Sequence, residues 1–407
     1  MPSIPALALR LLVPWLLAAA SALAVPRLPA SDAEVLERLP ARALDPRQAD
    51  ISALRRQLAA RPHELDLAIQ LARRYYAEVA AEGDPRYIGY AQAALAPWWQ
   101  LPEPPPRVRV MRAILLQFNH QFDAAAADLR AAVQADPGDD EAWAWLAAIA
   151  MVRGDYALAR KACEALARQA TPLIAAGCRA QVDATTGQAG ASADALRAAL
   201  LADAQAGTQA GTLAGTPADA GERLWALTRL AEIEQRRGRY AAAEAVYRQA
   251  LALGITDGYL LAAYADLLLD LGRPAEVLAL LQGRERSDLL LLRLALAAQA
   301  GADPRQGRWQ RELAARFDAA RRRGDTVHQK EESRFALQLL RDAPRALALA
   351  RDNYAVQREP SDARILLEAA LAARQPEAAA PVRAWLTRSG IESVVLQDLV
   401  TKLGAGP

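Results

Sequence analysis

Three histidines, two cysteines and a dense, evenly mixed set of charges are the groups in this 407-residue chain that could do chemistry. His63, His120 and His328 lie far apart, and none stands with a cysteine at metal-ligand spacing. His63-Glu64 opens like a zinc-protease helix but lacks the second histidine one turn later. No Gly-rich phosphate loop, nucleophile elbow or Ser/His/Asp order can be assembled. The glycines of 207–221 come without the lysine and the strand-to-helix setting that a phosphate cradle needs. Carboxylates spaced along helices are common to any charged helical surface and carry little information by themselves. The residues imply no catalytic set, no metal and no cofactor, and the chain reads as a non-enzyme.

The charge pattern excludes another class. Lys161, Lys330 and Lys402 are the lysines, so the basic charge is almost all Arg, yet the formal net charge is only +2. Neither sign forms a long block, which describes a solvated helical surface rather than a nucleic-acid footprint. Ala, Leu, Arg, Glu and Gln dominate and β-branched residues are scarce, which predicts an all-α fold.

The N-terminus reads as an export signal. Arg10 precedes an apolar stretch over 11–20, and Ala22 and Ala24 flank Leu23 as the small residues of a cleavage site after Ala24. No cysteine sits there to carry a lipid anchor. The stretch is short for a membrane span and Pro14 interrupts it, so a retained N-terminal anchor is the alternative to cleavage. No other segment reads as membrane-spanning; the apolar run at 289–296 is short and holds Arg293. The mature chain is expected to be periplasmic.

Any functional side chain must be positioned by helices. Residues 25–49 look extended, apart from a helical turn at 31–38. Residues 50–205 and 222–407 carry helical patterns on either side of a low-complexity linker at 206–221. Trp98-Trp99, followed by the prolines of 102–106, reads as a helix end covering its neighbour or as a docking ledge. Beyond it a spacing recurs. Leu230, Ala231, Gly238, Tyr240, Ala243, Tyr247 and Ala250 stand at offsets shared by Trp143, Leu146, Ala147, Gly154, Tyr156 and Ala159. Ala113, Phe122, Ala125, Leu129, Ala132 and Pro137 precede them in the same register, and Tyr264, Ala265, Gly272 and Leu281 follow, with a period of about 34 residues. Large members fill the space between two helices, small ones let the helices approach, and Gly opens the turn. A last amphipathic helix at 393–403 would cover the final exposed face.

On these residues the chain resembles the tetratricopeptide repeat family, specifically its exported bacterial members, over most of 50–390. The resemblance implies a right-handed α-solenoid of helix–turn–helix pairs, closed by the C-terminal capping helix, with a concave groove and a protein-binding role. It places Arg73, Tyr76, Arg107, Met111, Gln117 and Trp145 of the first half in that groove, and Trp225, Arg229, Arg236, Tyr259, Lys330 and Arg334 of the second. Aromatic, Met and Arg side chains are the types enriched at binding hot spots; the competing role for Trp145 and Trp225 is packing between repeats. Lys330 and Arg334 match the positions at which chaperone-binding members grip a peptide's terminal carboxylate. The asparagines of that clamp are missing, because Asn119 and Asn353 are the only ones here and are wrongly placed. In this architecture Cys163 and Cys178 fall on neighbouring helices, where either a disulfide or two buried thiols would fit. The expected function is a protein-binding scaffold of the bacterial envelope that holds a partner segment in its groove. The alternative is a structural subunit of an envelope complex that uses its ends or convex face. No nucleic-acid partner is expected.

Overall fold

A left-handed residue joins the two helices of each pair and sets the repeat. The computed structural model describes residues 46–208 and 218–404; the export signal expected over 1–24, the segment 25–45 and residues 209–217 and 405–407 lie outside the described residues. The first helix, α1 (Pro46–Ala60), begins earlier than the extended segment expected over 25–49, since a proline at the first helical position loses no hydrogen bond. The pair α2 (Leu65–Glu82) and α3 (Arg86–Ala94) follows, then a short α4 (Ala96–Trp99) whose two indoles pack on the N-terminal core. Three pairs come next: α5 (Pro106–Phe118) with α6 (Phe122–Ala135), α7 (Asp140–Arg153) with α8 (Tyr156–Leu166), and α9 (Pro172–Thr185) with α10 (Ala189–Thr208). Then come α11 (Ala220–Arg236) with α12 (Tyr240–Leu251), and α13 (Gly258–Asp270) with α14 (Pro274–Leu280). The last pairs are α15 (Asp288–Ala300) with α16 (Gln306–Arg322), α17 (Gln329–Phe335) with α18 (Ala343–Val356), and α19 (Pro360–Ala372) with α20 (Ala380–Ser389). The capping helix is α21 (Val394–Gly404), which packs on α19.

Most turns inside a pair use one device: a residue after the first helix takes positive φ, and the next N–H reaches back to a carbonyl five residues earlier. Asp155 donates to the Ala150 carbonyl at 2.8 Å, Arg239 to Glu234 at 2.9 Å, Arg273 to Leu268 at 2.9 Å and Asp303 to Ala298 at 2.8 Å. Glycine supplies the left-handed residue at Gly154 and Gly238, but His120, Ala302, Arg341 and Arg374 adopt it in their own pairs at φ 56°, 52°, 59° and 54°. Asp and Thr caps start the helices: Asp139 accepts from the Ala142 N–H, Asp155 from Leu158 and Thr171 from Ile174. Ala125, Ala159 and Ala243 are fully buried where the two helices of a pair touch. The core continues across the 206–221 stretch, with Leu173 and Leu196 in one cluster with Leu230 and Tyr247. A disulfide joins Cys163 on α8 to Cys178 on α9, with Cα atoms 5.5 Å apart.

Residues 51–407 form one compact unit, and within it the solenoid meets itself. The turns of early pairs touch helices and loops much later in the chain. A Cβ added to Gly83 would fall 2.6 Å from the Ser287 hydroxyl oxygen, and one added to Gly187 would fall 3.2 Å from the Gly390 carbonyl. The Arg358 N–H donates to the Val152 carbonyl at 2.8 Å, and Trp385 Nε1 donates to the Tyr156 hydroxyl at 2.7 Å. His120 feels His328 and Lys330 across the same seam. Among the described residues no helix is long and apolar enough to cross a membrane.

Candidate functional site

Because successive coils touch, the inner face of the second half curves into a half-open lumen. A cavity of about 290 Å³ is lined chiefly by first helices: α11 through Arg229, Glu232 and Arg236, α13 through Tyr259 and Asp266, α17 through Lys330 and Arg334, and α19 through Arg364 and Glu368. Five expected groove residues, Arg229, Arg236, Tyr259, Lys330 and Arg334, therefore share this cavity. Its charges are largely spent on one another. Asp266 takes Arg293 and Arg334, each at 2.6 Å, and Asp270 takes both Nη atoms of Arg364 at 2.7 Å. Arg229 pairs with Glu232 at 3.0 Å and lies 4.8 Å over the Tyr259 ring, whose hydroxyl donates to Glu232. Burial alone would raise the Asp266 carboxyl, but Arg293 and Arg334 outweigh it and hold the group well below the usual carboxylate range. Lys330 shows the mirror case: burial acts to lower it, and Asp362, Glu331 and Glu359 raise it above its ordinary value.

These bonds change the meaning of Lys330 and Arg334. Lys330 sits 3.7 Å from Asp362, and Arg334 is held by Asp266. Both are tied into the scaffold's own network, so neither stands free as half of a carboxylate clamp.

The first-half residues form a second group. Arg73 bonds to Glu141, with one contact at 2.8 Å, and Arg107 pairs with Asp66. Tyr76 meets Trp145 edge-on at 6.1 Å and takes a 3.3 Å hydrogen bond from Gln117. Burial pushes the Tyr76 phenol up to about 12, against the opposing effect of the Gln117 bond. Arg73, Tyr76, Arg107, Gln117 and Trp145 thus join α2, α5 and α7 along one strip. Two residues part from the expectation. Met111, 1% exposed, turns into the N-terminal core, since an uncharged side chain at that offset gains by burial. Trp225 packs edgewise onto Gly177, where an added Cβ would lie 2.3 Å from the indole, so it joins α11 to α9.

The repeat register does not signal Arg358 or Glu359 and gives Tyr156 only a packing role, yet all three line the lumen. The first two precede α19 in a connecting loop and the third opens a second helix; contact between coils brings them in. Among the described residues no group of three or more His, Cys, Asp or Glu is arranged to hold a metal ion.

Residues 119–178 match the family model for the tetratricopeptide repeat. No curated protein matches the sequence. Among solved structures, the Cut9–Hcn1 hetero-tetramer of APC/C is similar at TM-score 0.43 and 12% identity, over 84% of this chain and 63% of that one. A tetratricopeptide repeat protein from Parabacteroides merdae is similar at TM-score 0.34 and 12% identity, over 74% of this chain and 98% of that one. The matched segment spans the α6, α7, α8 and α9 region, and the same turn and packing recur in the pairs before and after it. Residues 119–178 are thus a tetratricopeptide repeat segment, set within an all-α solenoid of stacked helix pairs.

Proposed function

We propose that this chain is a non-catalytic protein-binding scaffold of the bacterial envelope, exported by the signal at 1–24 and released into the periplasm. The observation that carries the binding role is the strip on α2, α5 and α7. There Arg73 and Arg107 keep 49% and 57% of their side chains exposed beside the half-buried rings of Tyr76 and Trp145. Exposed ion pairs and aromatic groups side by side on adjoining first helices suit an extended partner segment with polar and apolar residues. Tyr259, 47% exposed and bonded to Glu232, offers a further ring on the inner face of the second half.

A second reading is a structural subunit whose ends or convex face hold an envelope complex together. It draws support from the contacts between coils, which leave less inner face open to a partner than an uncoiled solenoid would have. One experiment separates the two. A photo-cross-linking residue is placed at Arg107, on the strip, or at Arg130, on the exposed side of the second helix α6, and the chain is expressed in its own host. Adducts with one protein from the Arg107 position alone support the scaffold. Adducts from Arg130 alone favour the structural subunit. Mass spectrometry of the recovered chain tests export, with an N-terminus at Val25 as the expected result.

A further inference from the structure

The lumen holds two cations that its own network leaves over. Arg229, Arg293, Lys330, Arg334 and Arg364 each have a carboxylate within ion-pair distance. Arg236 and Arg358 line the same cavity, and among the described residues neither side chain has an ion pair or a hydrogen bond. The Arg236 Nε is buried with no partner. The strongest opposing charge felt by Arg236 is Glu232, already held by Arg229 and Tyr259. Burial, and then Asp362, pushes the neighbouring Glu359 carboxyl up, towards the neutral form, which weakens it as a counter-charge.

Tyr156 is close enough to both guanidiniums to feel their charge, and it faces the cavity. Its oxygen accepts the Trp385 indole N–H at 2.7 Å, so its own hydrogen is available to an acceptor in the lumen. Burial keeps that phenol protonated. Met151, Ile233, Val395 and Leu396 supply apolar wall. A part-buried cation without a partner is costly, and two in one cavity beside a spare hydroxyl donor make a site for an anion.

We propose that the lumen binds a small organic carboxylate, its oxygens held by Arg236, Arg358 and Tyr156 and its aliphatic body against the apolar wall. The cavity of about 290 Å³ is at the lower end of small-molecule sites and holds roughly ten heavy atoms, at about 30 Å³ for each water-sized unit. Coil-to-coil contacts beside it favour a free molecule over a threaded chain segment. This site does not depend on which protein the outer strip engages.

The test is titration of the full chain with octanoate, octanol or inorganic phosphate, followed by calorimetry and thermal unfolding. Octanoate is expected to bind saturably and raise Tm, with affinity falling about tenfold or more in Arg236→Gln and Arg358→Gln and less in Tyr156→Phe. Octanol is expected not to saturate. Without ligand, Arg236→Gln should unfold at the same or a higher temperature than the native chain, because it removes an unpaired cation. Equal binding of octanoate by the native chain and Arg236→Gln would overturn the site. Binding of phosphate in place of octanoate would overturn the ligand class, and a lower ligand-free Tm for Arg236→Gln would show that the guanidinium has a partner within the fold.

Discussion

Ala302 has φ 52°, a left-handed backbone that side-chain-bearing residues adopt at a cost, and its side chain is exposed. The equivalent turn residues Gly154 and Gly238 carry no such strain. Ala302→Gly should therefore stabilise the chain by about 0.5–1 kcal/mol, the gain in the fold exceeding the added freedom of the unfolded chain. Denaturant unfolding would measure it as a higher midpoint at unchanged slope. Asp266 works in the opposite sense. Removing its charge leaves Arg293 and Arg334 facing each other, and Asp266→Asn should cost about 3 kcal/mol at neutral pH. Its folded carboxyl is held low by those two arginines, so its contribution is full above the unfolded value of about 3.9 and is lost as pH falls towards the lower folded value. Unfolding free energy followed from pH 6 downwards should therefore show a shallower acid decline in Asp266→Asn than in the native chain.

At the level of elements, much of the structure was legible before any coordinate. Leu230, Ala231, Gly238, Tyr240 and Ala243 predict a helix pair because each type has one packing or turn role, and the pair forms as read. The reading was weaker where another residue does the same work: His120, Ala302, Arg341 and Arg374 take the left-handed position without being glycine. Met111 was misplaced because an offset names a face of the helix, while the side chain's chemistry decides whether that face is kept wet. The link between α8 and α9 is a further element-level feature. The cysteines are 15 residues apart in sequence, and in the chain-entropy account such a loop contributes about 3 kcal/mol. A Cys163→Ala, Cys178→Ala variant should lose about that much, read as the difference in unfolding free energy under non-reducing conditions. An unchanged value would mean the two helices are already held by packing alone.

The whole molecule was the least legible scale. Arg358 and Glu359 reach the lumen, and Tyr156 meets Trp385, through contacts between coils that a local period does not encode. Those contacts can be weighed by comparing two glycines with left-handed backbones. Gly272 has no neighbour within 4 Å of an added Cβ, whereas Gly187 would press on the Gly390 carbonyl at 3.2 Å. Gly272→Ala should cost only the backbone strain, about 1 kcal/mol, and Gly187→Ala should cost more by the disturbance of the seam. Equal losses in thermal unfolding would mean the seam gives way freely.

The seam also bears on how the chain comes to be made. A stack of repeats ordinarily folds by nearest-neighbour steps, each pair needing only the one before it. Here the Arg153 guanidinium donates to the Val356 carbonyl 203 residues later, and Tyr156 waits for Trp385 229 residues later. Early pairs that have already formed must keep one edge unmatched until the last pairs arrive. Completion of the molecule then includes a late closure of high contact order, which waits for the last pairs to be made.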